Sequence, residues 1–107
     1  MRKAIRVLAC ASLMALGAQQ AWAHGYELFG HCTRQGTKTV HCTGGINGSA
    51  LQGLRIDVLA QEDDAILVRG RLDTRGAFTF EKPAKPFYVL IEAKPGLALE
   101  IYDSQVR

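Results

Sequence analysis

The sequence predicts an all-β protein, a small seven-stranded Greek-key sandwich that follows a cleaved N-terminal signal peptide. Short apolar runs recur about every ten residues from Tyr26 onward, and Gly, Asn, Asp and Pro separate them. No stretch keeps a helical periodicity for three turns. Seven such runs match the number of strands in a small Greek-key sandwich.

Residues 1–23 have the composition of a secretory signal peptide. A positively charged start precedes an apolar run at residues 7–16, and an Ala-x-Ala cleavage pattern ends at Ala23. The apolar run is far shorter than the roughly 20 residues that span a bilayer, so we expect no stable membrane insertion. We therefore expect a periplasmic or secreted protein whose single domain, residues 24–107, begins with His24.

A second cleavage pattern competes with the first one. The segment that ends at Cys10 resembles a lipoprotein box, in which Cys10 is lipidated and becomes the mature N-terminus. Almost no apolar segment precedes Cys10 and a full one follows it, an order that favours cleavage after Ala23. Lipidation at Cys10 would leave His24 inside the chain, without a free amine.

The charge of the sequence gives no support for two classes of partner. Its formal net charge of +3 comes from the leader, because removal of three of the 13 Lys+Arg residues leaves as many basic residues as the 10 Asp+Glu. No basic patch then remains to attract nucleic acid or an anionic membrane. We expect neither as a partner.

The first two strands form a hairpin in this interpretation, with strands at 26–33 and 38–43 and a turn at 34–37. A glycine-rich loop follows at residues 44–49. Leu54 to Ala60 alternates between apolar and polar residues, with Arg55 and Asp57 on one face. Alternation and turn residues predict the remaining strands at 66–72, 77–81, 87–93 and 97–102.

All three histidines lie at the start of the exported chain, at His24, His31 and His41. If Thr33 pairs with Thr39 across the hairpin, His31 stands directly opposite His41 on one face of the sheet. A register slip of one residue would place these two side chains on opposite faces.

A terminal His24 combines an amine with an imidazole, and a nitrogen from His31 or His41 would complete a three-nitrogen metal site. Nitrogen ligands in planar or tetragonal arrangement suit Ni(II) or Cu(II). The amine has a reference pKa of roughly 7.7–8.0, so metal affinity should rise with pH. Alternatively, His24 is an unliganded terminus and the other two histidines are ordinary surface residues of a strand.

Cys32 and Cys42 are the two cysteines that remain after cleavage, and an exported compartment favours a disulfide between them. A thiolate site for Zn or Cu(I), built with the adjacent histidines, is the alternative. Such a site would require neighbouring residues to converge, although neighbours in a strand point to opposite faces.

Three segments resemble a known family: the His-Gly-Tyr start at His24, residues 53–58, and residues 71–80 with their Asp-x-x-Gly-x-Phe-x-Phe pattern. They resemble carboxypeptidase-regulatory-like domains, which have a transthyretin-like or immunoglobulin-like sandwich fold. The His-Gly start is similar to that of small periplasmic nickel-binding accessory proteins of energy-coupling-factor nickel and cobalt transporters. The resemblance implies that His24 binds metal and that a membrane metal-uptake system is a partner; it does not extend to His31, His41 or the cysteines.

No catalytic arrangement is visible, since Ser49 and Ser104 lack a base at a convincing spacing and no glycine-rich loop joins a strand to a helix. We therefore expect a binding protein and not an enzyme. It would buffer or deliver Ni or Cu through His24. The alternative is a non-catalytic structural or interaction domain that the disulfide stabilises without metal.

Overall fold

A computed structural model describes residues 27–48 and 53–107. These residues form a three-stranded sheet in the order β1-β2-β5 and a four-stranded sheet in the order β4-β3-β6-β7, which confirms the predicted seven-stranded sandwich. The predicted signal peptide, both cleavage sites and His24 lie outside the described residues. The elements are β1 Glu27–Gln35, β2 Thr39–Asn47, β3 Arg55–Ala60, β4 Ile66–Arg71, β5 Ala77–Glu81, β6 Phe87–Lys94, β7 Leu97–Tyr102 and a 3-10 helix at Asp103–Gln105.

All neighbouring strands within the two sheets run antiparallel. Alternate residues of each strand point between the sheets, and their apolar side chains form one core. No helix in the described part of the chain is long and apolar enough to cross a membrane. The core consists of Cys32, Val40, Cys42, Leu54, Ile56, Val58, Leu72, Phe80, Phe87, Val89, Ile91, Ile101 and Val106.

The predicted loop at 44–49 is wrong for its first four residues, because β2 continues through Asn47. Gly44 lies in this extension, where an added Cβ would meet the backbone oxygen of Phe29 at 2.9 Å and Cδ1 of Ile91 at 3.1 Å. Glycine is therefore present here because β1 and the opposite sheet approach closely, and not because the chain turns.

The Asp73 turn, residues 73–77, joins β4 to β5 and contains the Asp-x-x-Gly pattern. Oδ1 of Asp73 accepts hydrogen bonds from the backbone N–H groups of Arg75, at 2.8 Å, and Ala77, at 2.9 Å. The bonds from Ala77 and Arg75 hold the pKa of Asp73 below its ordinary value, since they favour the carboxylate. The motif thus has a structural role, because it fixes the turn that precedes β5.

Tyr88 on β6 provides a pH-dependent probe of the fold. Its hydroxyl donates a 2.8 Å hydrogen bond to Oδ1 of Asp64, in the turn between β3 and β4. This bond to a carboxylate, together with burial, raises the pKa of Tyr88 from 10.0 to about 12. The folded state therefore keeps a proton that the unfolded state loses, so this contribution to stability is complete below pH 10 and disappears as the pH rises towards 12.

We expect Asp64→Asn to lower the pKa of Tyr88 towards 10, because the carboxylate charge is lost. The change suits the backbone, since Asp64 has a φ of 58° and asparagine tolerates this region. The chemical shifts of the Tyr88 ring followed against pH measure its ionisation separately from that of the other tyrosines, with Glu62→Gln on the same turn as the control. Equal titration curves for Asp64→Asn and the parent protein would show that the hydrogen bond does not control this proton.

Candidate functional site

The first hairpin contains the predicted disulfide. Cys32 and Cys42 are direct partners in the β1–β2 register and their sulfurs are bonded, with Cα atoms 4.1 Å apart. Their relative exposures are 1% and 0%, so the bridge lies in the core between the two sheets. The bonded sulfurs leave neither thiolate to bind a metal, so the alternative Cys/His site is not formed.

The predicted pairing of His31 with His41 is wrong. His31 lies opposite Thr43, and His41 lies opposite Thr33, because the register is centred on the cysteine pair and the turn contains only residues 36–38. The shift is two residues on one strand, so both histidines remain on the same outer face of the sheet. They are diagonal neighbours, for which separations of about 7–8 Å are usual.

Each hairpin histidine has a threonine hydroxyl beside its ring. Nε2 of the exposed His31 is 3.3 Å from Oγ1 of Thr43. Nδ1 of the half-buried His41 is 2.8 Å from Oγ1 of Thr79 on β5. His31 therefore has the more accessible ring, and a metal at His41 would have to use Nε2 or displace the threonine contact.

The reach of His24 limits which histidine it can join. An extended strand rises about 3.3 Å per residue, so the Cα atoms of Glu27 and His31 are roughly 13 Å apart along β1. The three residues from Glu27 back to His24 span at most about 10 Å. A shared site with His31 therefore requires residues 24–26 to fold back along β1, and the same condition applies to His41 farther along the sheet.

His31 also borders a cleft of about 650 Å³ between the edges of β1 and β7. Glu100 of β7 borders the same cleft, but its carboxylate lies on the outer face of the four-stranded sheet, where Oε1 is 3.4 Å from the hydroxyl of Tyr102. Sequence reasoning missed this cleft, because only the long-range approach of β1 to β7 reveals it. Within residues 27–48 and 53–107, no three His, Cys, Asp or Glu side chains are grouped closely enough to hold a metal ion.

The family resemblance depends on two kinds of sequence pattern, and the structure describes one of them. The Asp73 turn accounts for the Asp-x-x-Gly pattern through backbone hydrogen bonds. The His24 start, which points to metal, lies outside the described residues. A scan against protein-family models, a search of curated proteins and a search of solved structures each find no match to this chain.

Proposed function

We propose that this chain is an exported metal-binding protein that buffers or delivers Ni(II) or Cu(II) through His24. The observation that carries the proposal is the common face of the two hairpin histidines. His31 and His41 both lie on the outer face of a sheet whose first strand begins at Glu27, three residues after His24. A membrane metal-uptake system is the partner that we infer from the family resemblance.

The proposed ligands are the terminal amine and imidazole of His24 and a ring nitrogen of His31. We prefer His31 to His41 because it is nearer to the N-terminus along β1 and its ring is more exposed. Nitrogen donors of this kind suit the tetragonal geometry of Cu(II) or Ni(II). Water would occupy a remaining position.

The test is a titration of the exported form with Ni(II) at constant pH, compared with two variants of the N-terminus. One carries an extra alanine before His24 and so separates the amine from the imidazole, whereas His24→Gln keeps the amine and removes the ring. We expect each change to weaken binding roughly tenfold or more, because His24→Gln removes one nitrogen of the chelate and the added alanine moves the amine away from the imidazole. Affinity should also rise with pH as the amine loses its proton.

His31→Gln and His41→Gln form a matched pair on the same face, and we expect the first to weaken binding more. Unchanged affinity in both N-terminal variants would contradict the terminal chelate. Mass spectrometry of the exported protein determines whether it begins at His24, which the mechanism requires.

A second function is favoured by the exposed Phe29 on edge strand β1. The ring is 44% exposed, and β2 is the only strand that pairs with β1 among the residues described. Arg107 hydrogen-bonds to the other side of β1 at Cys32 and Arg34, so the open part of this edge is the stretch around Phe29. An interaction domain stabilised by the disulfide would use such an edge to bind another protein. A protein that is isolated oxidised, metal-free and indifferent to added metal would favour this function over metal binding.

A further inference from the structure

A group of basic side chains lies on the outer face of the four-stranded sheet, away from the hairpin histidines. Arg55 of β3 is the direct cross-strand partner of Arg71 of β4, and Arg69 is the partner of Asp57. Directly opposed like charges destabilise a sheet unless something neutralises them. The opposed Arg55 and Arg71 therefore need a compensating negative charge.

The carboxylate of Asp57 neutralises part of this positive charge. Its side chain is only 9% exposed, with Oδ2 3.6 Å from Nε of Arg55 and Oδ1 3.7 Å from Nε of Arg69. Oδ1 accepts no hydrogen bond within the described part of the chain. Approach through Nε leaves the terminal nitrogens of both guanidinium groups for other partners, so Asp57 orients the arginines without saturating them.

A cleft of about 350 Å³ opens beside this group, and its lining includes Arg55, Arg71, Lys94 and Glu92. Glu92 is the cross-strand partner of Arg55, yet no ion pair joins the two side chains among the residues described. Nη1 of Arg71 donates a 2.9 Å hydrogen bond to the backbone oxygen of Gly53 at the wall of the cleft. Three cationic groups thus face one carboxylate in a space the size of a small-molecule site.

We propose that this cleft binds a small oxyanion, a phosphate or carboxylate group, between Arg55 and Arg71. The planar guanidinium group presents paired donors that match the oxygens of both anions. Lys94 supplies a further positive charge, and Asp57 is a positioning residue that holds Arg55. The bound anion neutralises the positive charge of the opposed arginines that Asp57 leaves uncompensated.

The test is a titration of the exported protein, at fixed ionic strength, with inorganic phosphate, with citrate and with chloride. Chemical-shift changes report the residues involved. We expect saturable binding of phosphate or citrate and no saturable response to chloride. Saturation by phosphate alone identifies a phosphate-bearing ligand, and saturation by citrate alone identifies a carboxylate.

Arg55→Gln and Arg71→Gln should each weaken binding about tenfold or more, because a charge-assisted pair of hydrogen bonds is lost. Arg75→Gln, on the Asp73 turn, is the matched control and should bind as the parent does. Thermal unfolding of each variant establishes that it is folded. The proposal is overturned if folded Arg55→Gln and Arg71→Gln bind like the parent, or if chloride at the same ionic strength reproduces the response.

The Asp57→Asn variant tests whether Asp57 acts by holding Arg55 in place or only through its negative charge. Coulomb interaction alone would make this variant bind anions more tightly, because a negative charge near the cleft is removed. Loss of positioning has the opposite sign, and we expect binding about threefold weaker as Arg55 becomes less ordered. A gain in affinity would overturn the positioning role of Asp57.

Discussion

The double substitution Cys32→Ala/Cys42→Ala is expected to lower the free energy of unfolding by about 3–5 kcal/mol. The bridge joins residues 10 apart in sequence, and a closed loop of this length is worth about 3 kcal/mol in the chain-entropy model. Both side chains are fully buried, so alanine also leaves a space in the core that adds to the loss. Small domains have total stabilities of roughly 5–15 kcal/mol, so urea unfolding should show a much lower midpoint.

The reduced parent protein is the control that separates the cross-link from the packing. Reduction removes the bridge but keeps both sulfur atoms in the core, so its loss should be about 3 kcal/mol, smaller than that of the double variant. The urea midpoint should therefore be highest for the oxidised parent, lower for the reduced parent and lowest for the double alanine variant. If the oxidised and reduced parent unfold at the same urea concentration, the bridge does not stabilise the folded state.

The seven strands were predictable because each has a local signal. Alternation in residues 54–60 placed Ile56 and Val58 in the core and Arg55 and Asp57 outside it, as the structure shows. Period-two patterning depends only on neighbours in the chain, so it needs no knowledge of the partner strand. Apart from the end of β2, the predicted strand bounds lie within two residues of those observed, because turn residues such as Pro83 and Pro86 mark where strands stop.

The hairpin register was predictable in principle and was still assigned wrongly. A disulfide between Cys32 and Cys42 and a direct pairing of His31 with His41 cannot both hold, because the two pairs imply registers that differ by two residues. The cysteines decide it, since a covalent bond across a hairpin requires Cβ atoms about 3.8 Å apart. Register follows from the more restrictive of two constraints, and a covalent bond is more restrictive than a shared ion.

The oxyanion cleft was not predictable from local patterns. The outward face of β3 identified Arg55, but its neighbours Arg71 and Glu92 come from two other strands whose register is set by long-range pairing. The same reason conceals the cleft between β1 and β7 that His31 borders. Local alternation predicts which face of the sheet a side chain lies on. Its neighbours from other strands depend on strand order and register, which local sequence patterns do not specify.

Gly76→Ala is expected to lower the free energy of unfolding by about 3 kcal/mol, through strain and overlap together. Gly76 has a φ of 74°, which costs a residue with a side chain about 1–2 kcal/mol. An added Cβ would also lie 2.5 Å from the backbone oxygen of Gly44. The turn and β2 cannot move apart without losing a backbone hydrogen bond, because the N–H of Gly44 donates a 2.8 Å hydrogen bond to the oxygen of Gly76.

Gly36→Ala is a matched control for this prediction, because Gly36 has nearly the same φ, 75°, in the turn between β1 and β2. An added Cβ there meets nothing within 4 Å, so only the backbone strain of about 1–2 kcal/mol remains. The difference between the two variants in urea unfolding therefore measures the contact of the Asp73 turn with β2. Equal losses of unfolding free energy would mean that the turn can shift away from β2. The glycine of the Asp-x-x-Gly pattern would then be needed only for its positive φ.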